Sequence, residues 1–514
     1  MRMQGFGVES FDFVIVGGGT AGCVLAGRLS EDPGVSVLLL EAGAATPPIG
    51  ADDPQAWLSL VRSSAATGGV AQGESIAGST DPIPRGRVLG GSSAINGMIF
   101  ARGHRSSYDR WAEEGATGWG YTDLLPYFMR TESAPGRDPA IRGMTGPLAV
   151  APASTPGPVF EASLEAAEEA GHRRAGDISG GLEEGFGWPD LNIVAGRRQN
   201  AVDAYLAPAA GRRNLRVVTG ALVHRLLVNR GRCDGVEYSV GTELVQTRCT
   251  GEVVLAAGAI GSPPLLQRSG IGAADVVRPH GIPVVEDLPG VGENLQDHPT
   301  VSIVHLPGQP MPMARNNRLE ALGLLRSDPE VGSPDLQVAF GDIPVPSSHG
   351  GEPETILVVL TSLMQPFSRG SVRLAGADPA VAPVVVPRYL ADSRDLEAIA
   401  KGLEIARDIC RTTASKPWYA TEVVPGPDVG GDAALRAYAA ASVSTYYHPV
   451  GTCRIGTDAM AVVDPELRVH GILGLRVADA SVMPSIVSAN TNATVYAIAE
   501  RASELIQAAY RSGS

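Results

Sequence analysis

Three glycines, Gly17, Gly19 and Gly22, form a G-x-G-x-x-G run near the start of a 514-residue chain. The first permits a tight turn, and the second lets backbone approach a pyrophosphate. The third lets a helix pack closely on a strand, with the phosphates at the helix N-terminus. Glu41 follows 19 residues after Gly22, about where an acid reaches ribose hydroxyls. The chemistry is dinucleotide binding, and the glycines alone do not choose between NAD and FAD. For proton transfer the chain has nine histidines. Imidazole titrates near neutrality and suits a general base, but most of the nine need no function. His172 and His280 stand in polar, Gly- or Pro-flanked stretches that read as surface. The five cysteines (Cys23, Cys233, Cys249, Cys410, Cys453) are odd in number, scattered, and contain no Cys-x-x-Cys pair. Neither a disulfide framework nor a zinc site is expected. Cys453 lies five residues from His448 and reads as a buried apolar side chain rather than a nucleophile.

These residues need elements to hold them. Residues 11–16 are an apolar, β-branched run that ends at the glycines, 20–29 have helical spacing, and 35–40 form a second buried strand. This β-turn-α-β unit opens a dinucleotide fold. Residues 47–86 read as irregular, rich in Gly, Pro and Ser. Amphipathic patterns predict helices over 107–132 and 158–171, and strand-like runs occupy 215–228, 235–240 and 253–257. Between 301 and 440, strands at 336–340, 355–363 and 371–374 precede a helix at 393–411. A strand at 475–478 leads to a last helix over 491–510, with Val495, Ile498, Ala499, Ala502, Leu505, Ile506 and Ala509 on one face. Asn490 and Asn492 stand at its start, where N-cap residues are favoured.

Composition bounds the function. Glycine is abundant, 63 residues beside 39 prolines, but it falls next to short apolar runs without period and marks turns and close backbone approaches. With 41 basic and 55 acidic residues the formal net charge is −14. That argues against a nucleic-acid partner, which needs a basic face. Hydrophobic residues at 44% and charged ones at 19% describe a folded chain that is neither disordered nor membrane-embedded. No apolar run approaches the length of a membrane span, and no signal pattern opens the chain, so a cytoplasmic enzyme is expected. Lys401 and Lys416 are the only lysines against 39 arginines, which suggests a GC-rich bacterial genome. Oligomeric state is left open.

Two longer segments choose the cofactor. GRVLGGSSAINGMIFARGHRSSYD (86–109) and GAIGSPPLLQRSGIG (258–272) match the two signature segments of the glucose-methanol-choline (GMC) oxidoreductases. GVGENLQDHP (290–299), YYHPVGTCRIG (446–456) and RVADASVMP (476–484) follow in family order. The chain thus resembles that family from first strand to last helix, with 301–440 lacking a sharp motif. The resemblance implies an α/β fold, α+β overall. A Rossmann-like FAD-binding domain would come from residues 1–160, 205–310 and 462–514. A discontinuous substrate-binding domain, an antiparallel sheet with helices, would come from 161–204 and 311–461. It also implies FAD, with Gly17, Gly19, Thr20, Ala21, Gly22, Glu41 and Ala42 at the ADP half. Gly91, Asn96, Gly97 and Met98 would lie along the ribityl chain and ring. Val223 would hold adenine through its backbone, and Asp479 with Ala480 would meet the pyrophosphate and ribityl chain. Some relatives link a histidine covalently to the flavin; Ile95 stands at that position here, so the FAD is expected to be non-covalent.

The resemblance also assigns chemistry. His448 in YYHPVGTC takes the hydroxyl proton of an alcohol, a primary one, while hydride passes to flavin N5. Asn490 holds the oxygen, since an amide donates to a developing alkoxide and stays neutral. Thr491 is the backbone donor at the start of the last helix, whose positive end favours charge on the reduced ring. Tyr446 and Tyr447 line the flavin face or simply pack. The product is an aldehyde or other carbonyl, and the flavin is reoxidised by oxygen or another acceptor. Candidate substrates run from aryl alcohols and pyridoxine-like rings to choline-like cations and sugars. A non-redox hydroxynitrile lyase and a light-driven decarboxylase occur on the same fold and are the alternatives.

Overall fold

The apolar run that opens the chain is strand β1 (Ser10–Val16), buried from Phe13 onward because it has partners on both edges. On one side lies β2 (Val37–Glu41) and on the other the end of strand Glu243–Leu255, both parallel to it. This computed structural model describes residues 9–67, 70–71, 83–346 and 354–512. The first sheet runs in the order Leu215–Thr219, β2, β1, Glu243–Leu255, Arg232–Val240, Ala221–Asn229. Leu475–Val477 also pairs, in parallel, with the end of Glu243–Leu255. That strand has 13 residues. Its first half pairs antiparallel with Arg232–Val240, while its second half is enclosed between parallel neighbours. Helix α1 (Thr20–Leu29) and the last helix, Asn492–Ser512, pack together and are joined by the buried Glu500. Its carboxylate accepts from Arg28 and from the Tyr205 hydroxyl.

The second sheet is antiparallel throughout, in the order Tyr419–Val424, Pro299–Pro307, Glu354–Leu363, Leu336–Val345, Ala321–Leu325, Gly185–Gly187. Side chains alternate between its faces. Val301, Ile303, Val338, Phe340, Leu357 and Val359 form a core with Leu164, Ile399 and Leu403 of the covering helices. Thr300, Ser302, Val304, Val358 and Leu360 face the other way, into a cavity. Ser444–Thr445 pairs with the start of Pro299–Pro307 and delivers the chain to His448. Mixed α/β architecture with a parallel-sheet layer and an antiparallel sheet is therefore present as expected.

Local differences have local causes. The amphipathic run 107–132 is two helices, Arg105–Glu113 and Tyr121–Thr131, because the glycines at 115, 118 and 120 interrupt it. The run 215–228 is two strands separated at Gly220, which has φ +66°. Strand Pro299–Pro307 pairs wholly in the second sheet, although the sequence reading groups 205–310 with the first layer. Which sheet a strand joins depends on partners remote in sequence. Helix Gly258–Arg268 contains Pro263 and Pro264, and spacing did not anticipate it. Of the irregular stretch 47–86, residues 68–69 and 72–82 lie outside the described residues. Among the described residues no helix is long and apolar enough to cross a membrane. The five cysteines are buried free thiols.

Candidate active site

A cavity of about 720 Å³ is lined from both sheets. Gly17, Gly19, Thr20, Ala21, Glu41, Ala42, Gly91, Asn96, Gly97, Met98, Val223, Tyr447, His448, Asp479, Ala480, Asn490 and Thr491 all line it. Gly22 lies behind this wall: a Cβ there would stand 3.0 Å from the Gly17 carbonyl carbon, with the oxygen nearer still. Its place is helix-on-turn packing.

The wall near β1 suits an elongated anionic cofactor. Gly17 turns at φ +106°, and a Cβ there would meet the Ala256 carbonyl oxygen at 2.5 Å. A Cβ on Gly91 would meet the Gly19 Cα at 2.6 Å, whereas one on Gly19 would find nothing nearer than 3.8 Å. Backbone is thus bared to the cavity where α1 begins, and the helix N-terminus favours negative charge. Glu41, 7% exposed, accepts from Gly18 N (2.8 Å) and Gly43 N (2.7 Å). Burial raises its pKa against those two hydrogen bonds. The Asp479 carboxylate accepts from Gly258 N (2.8 Å), Ser262 Oγ (2.6 Å) and Ser481 N (2.8 Å), tying two short turns together. Arg85 lines the cavity with its Nε buried and without a hydrogen-bond partner among the described residues, and burial depresses its pKa to about 10. Its Nη1 donates to the Ala257 carbonyl oxygen at 3.5 Å, and a guanidinium with its Nε still unpaired beside a glycine cradle fits a pyrophosphate. Asn96 Oδ1 is engaged by Arg198 Nη1 (2.7 Å) and Met98 N (3.1 Å), which holds the 96–98 turn against the cavity. Asn492 Oδ1 accepts from Thr20 Oγ1 (3.1 Å), joining the starts of the two helices.

Opposite stands a cluster of three polar side chains. His448 Nε2 is 3.4 Å from Asn490 Nδ2, and His448 Nδ1 is 2.9 Å from Nδ1 of His298. His298 Nε2 is 3.0 Å from the Val487 carbonyl oxygen. The His448 ring opens on the cavity along one side and is enclosed by protein elsewhere, so burial pushes its pKa down to about 3. His298 is wholly buried and lies well below the ordinary histidine range, first from burial and then from His448. Asn490 Oδ1 accepts from Gln337 Nε2 at 3.5 Å. The Tyr446 ring stands edge-on to His448, centroids 4.9 Å apart. Tyr447 turns at φ +68° with its side chain 44% exposed.

One buried carboxylate sets the histidine backbones. Asp297 Oδ1 accepts from His298 N and His448 N, both at 2.8 Å. Its Oδ2 accepts from the Tyr389 hydroxyl (2.6 Å) and Thr445 Oγ1 (2.5 Å). Two segments some 150 residues apart are thereby clasped to one group.

With this geometry in place, comparison with known proteins decides the family. Two profiles described as GMC oxidoreductase match residues 11–300 and 366–499. The chain belongs to the GMC oxidoreductase family. It is 38% identical to the mitochondrial choline dehydrogenase of Homo sapiens, over 97% of this chain and 90% of that protein. It is also 38% identical to the oxygen-dependent choline dehydrogenase of Pseudomonas putida, over 97% and 94%. The crystal structure of pyridoxine 4-oxidase from Mesorbium loti superposes with a TM-score of 0.91 at 35% identity, covering 96% of this chain and 98% of that one. This GMC oxidoreductase is an FAD-dependent enzyme that oxidises CH–OH groups.

Sequence reasoning missed His298, Asp297 and Arg85. The first two stand inside the quoted segment GVGENLQDHP, but nothing in a linear pattern shows that this segment meets YYHPVGTC. Arg85 directly precedes the first signature segment, in the stretch read as irregular.

Proposed function

We propose that this enzyme oxidises a primary alcohol to its aldehyde, with His448 as proton acceptor, Asn490 holding the oxygen, and FAD bound non-covalently. The placement of His448 Nε2 and Asn490 Nδ2, 3.4 Å apart on one wall of the cavity, carries this reading. When bound, the flavin supplies the two-electron acceptor, and oxygen or another acceptor regenerates it. Gly17, Gly19, Thr20, Ala21, Glu41, Val223 and Arg85 would hold its ADP and pyrophosphate portion. Gly91, Asn96, Gly97, Met98, Ala480 and Thr491 would follow the remainder. Ile95, 2% exposed on the same wall, has no nucleophile to offer, which supports non-covalent binding.

The residues act through proton and charge. A histidine held neutral by burial is ready to accept at any ordinary pH, and His448 Nε2 takes the hydroxyl proton as the carbinol C–H bond breaks. Asn490 Nδ2–H donates to the oxygen while it carries alkoxide charge; Gln337 donates to Asn490 Oδ1, which orients the amide with its N–H groups towards the histidine. The start of helix Asn492–Ser512 lies on the same wall and favours negative charge there. Val304, Ile343, Val358 and Leu360, with Thr300 and Ser302, line the part contributed by the second sheet, and Leu319 joins them from the segment just before strand Ala321–Leu325. Such a wall supports an alcohol with an apolar body.

The test is anaerobic bleaching of the bound flavin near 450 nm with a panel of aryl, alkyl, pyridoxine-like and choline-like alcohols, in wild type and His448→Ala. Bleaching by an alcohol in wild type alone, with FAD retained in both, is the expected result. Cleavage of a cyanohydrin without bleaching by any alcohol would overturn the oxidation of alcohols.

A further inference from the structure

We propose that His298 is a positioning residue that sets the tautomer of His448, leaving Nε2 of His448 as its bare, proton-accepting nitrogen. The inference rests on the reading of His448 as proton acceptor and explains how that nitrogen is made available.

The argument follows hydrogen atoms along one chain of contacts. The Val487 carbonyl oxygen can only accept, so His298 Nε2, 3.0 Å away, carries a hydrogen and donates it. A neutral imidazole has a single N–H, so Nδ1 of His298 is bare. That Nδ1 is 2.9 Å from Nδ1 of His448, and a hydrogen must lie between them. It therefore belongs to His448. His448, neutral in turn, has its single hydrogen on Nδ1 and none on Nε2. The bare Nε2 faces the Asn490 Nδ2–H at 3.4 Å, on the wall of the cavity where a hydroxyl would arrive.

The alternative is a doubly protonated His298 that donates to both neighbours and forces the hydrogen of His448 onto Nε2. Its surroundings oppose it. His298 is wholly buried, and the nearest carboxylate, Asp297, is turned to the two backbone N–H groups and two hydroxyls. Carbonyls of Val487 and Met364 face His298, while Tyr446 and Asn490 face His448. None of these brings a full negative charge to either ring. The rings meet edge to face, 5.1 Å between centroids and 86° between planes. In the chemical step the substrate O–H bond breaks and an Nε2–H bond forms on His448. The positive charge this leaves on the ring is shared through Nδ1–H to His298, as a charge-assisted hydrogen bond.

The FAD-loaded full chain tests this with two measurements. First, 15N spectra of histidine-labelled enzyme, assigned with His448→Gln, read the tautomer directly. His448 is expected to show a protonated Nδ1 and a bare Nε2; a protonated Nε2 overturns the proposal. Second, His298→Leu removes the acceptor at Nδ1, whereas His298→Asn places an amide oxygen near that position. With the alcohol that bleaches the wild type fastest, His298→Leu should lose up to about 10⁴-fold in anaerobic flavin reduction, the scale of a wrong-tautomer histidine in other enzymes. KM should hold, and the Asn variant should recover to within about tenfold of wild type. Equal loss in both variants overturns the proposal. If the Leu variant fails to fold, the wild-type spectrum decides. If His448→Gln reduces the flavin as fast as wild type, the proton-acceptor reading itself has failed, whatever the tautomer.

Discussion

Two glycines two positions apart, Gly17 and Gly19, allow fold and cofactor binding to be separated. Gly17→Ala places a Cβ 2.5 Å from the Ala256 carbonyl oxygen and 2.9 Å from the Ala257 Cα, at φ +106°. Carbon needs about 3.5 Å from such neighbours, so β1 and the end of strand Glu243–Leu255 must move apart by about 1 Å. Both are buried mid-sheet strands, so the motion breaks packing along their parallel ladder. Backbone strain of about 1–3 kcal/mol and overpacking of about 1–3 kcal/mol sum to roughly 4 kcal/mol. Gly19→Ala differs. Its backbone is extended (φ −76°, ψ −163°), and its nearest prospective neighbour is 3.8 Å away. The loss should stay under about 1 kcal/mol, the scale of an N-cap change. The new methyl group stands where cofactor phosphates must approach backbone, and FAD affinity should fall at least tenfold, about 1.4 kcal/mol. Urea unfolding of FAD-free protein, with FAD titration of each variant, measures both. If Gly19→Ala binds FAD as wild type does, the dinucleotide does not lie on this turn. Equal stability in the two variants would refute the steric argument.

Other outcomes follow from the site. Asp297→Ala leaves four buried donors without an acceptor and should destabilise by about 3–5 kcal/mol, whereas Asp297→Asn keeps an acceptor for both histidine N–H groups and should lose about half as much. Urea midpoints at fixed pH compare them. His448 is pushed down to about 3 and His298 lies well below its ordinary range, so the unfolded chain binds more protons than the folded one below the unfolded histidine pKa of about 6.5. Stability should be fully present above that pH and fall as pH drops towards 3, with a shallower slope in His448→Gln, read by urea midpoints across pH 4–8. The same depression predicts kcat/KM flat from about pH 5 to 8 as far as His448 is concerned. Acid precipitation should release all yellow colour into the supernatant, since Ile95 cannot hold the flavin; colour retained in the pellet would refute non-covalent binding.

Much of the dinucleotide half was legible because its constraints are local. Gly17, Gly19 and Gly22 sit between a strand and a helix that their own apolar spacing announces, and Glu41 ends the next strand in register. The helix that begins at Asn492 was legible for the same reason, a long amphipathic face behind a polar start. The second sheet was less so. Strand Pro299–Pro307 has alternating burial but finds its partners at 354–363 and 419–424, and no spacing in the sequence specifies a partner that remote.

What the sequence determined by itself was therefore a phosphate-accepting turn, an acid beside it, and a family-like order of segments that singled out His448 and Asn490. Tertiary structure alone decided that His298 stands behind His448, that its ring is anchored by the Val487 carbonyl, and that Asp297 clasps both histidine backbones. The physical reason is range. Turn chemistry and periodicity act over a few residues, while hydrogen bonds between side chains depend on where folding brings segments 150 and 189 residues apart.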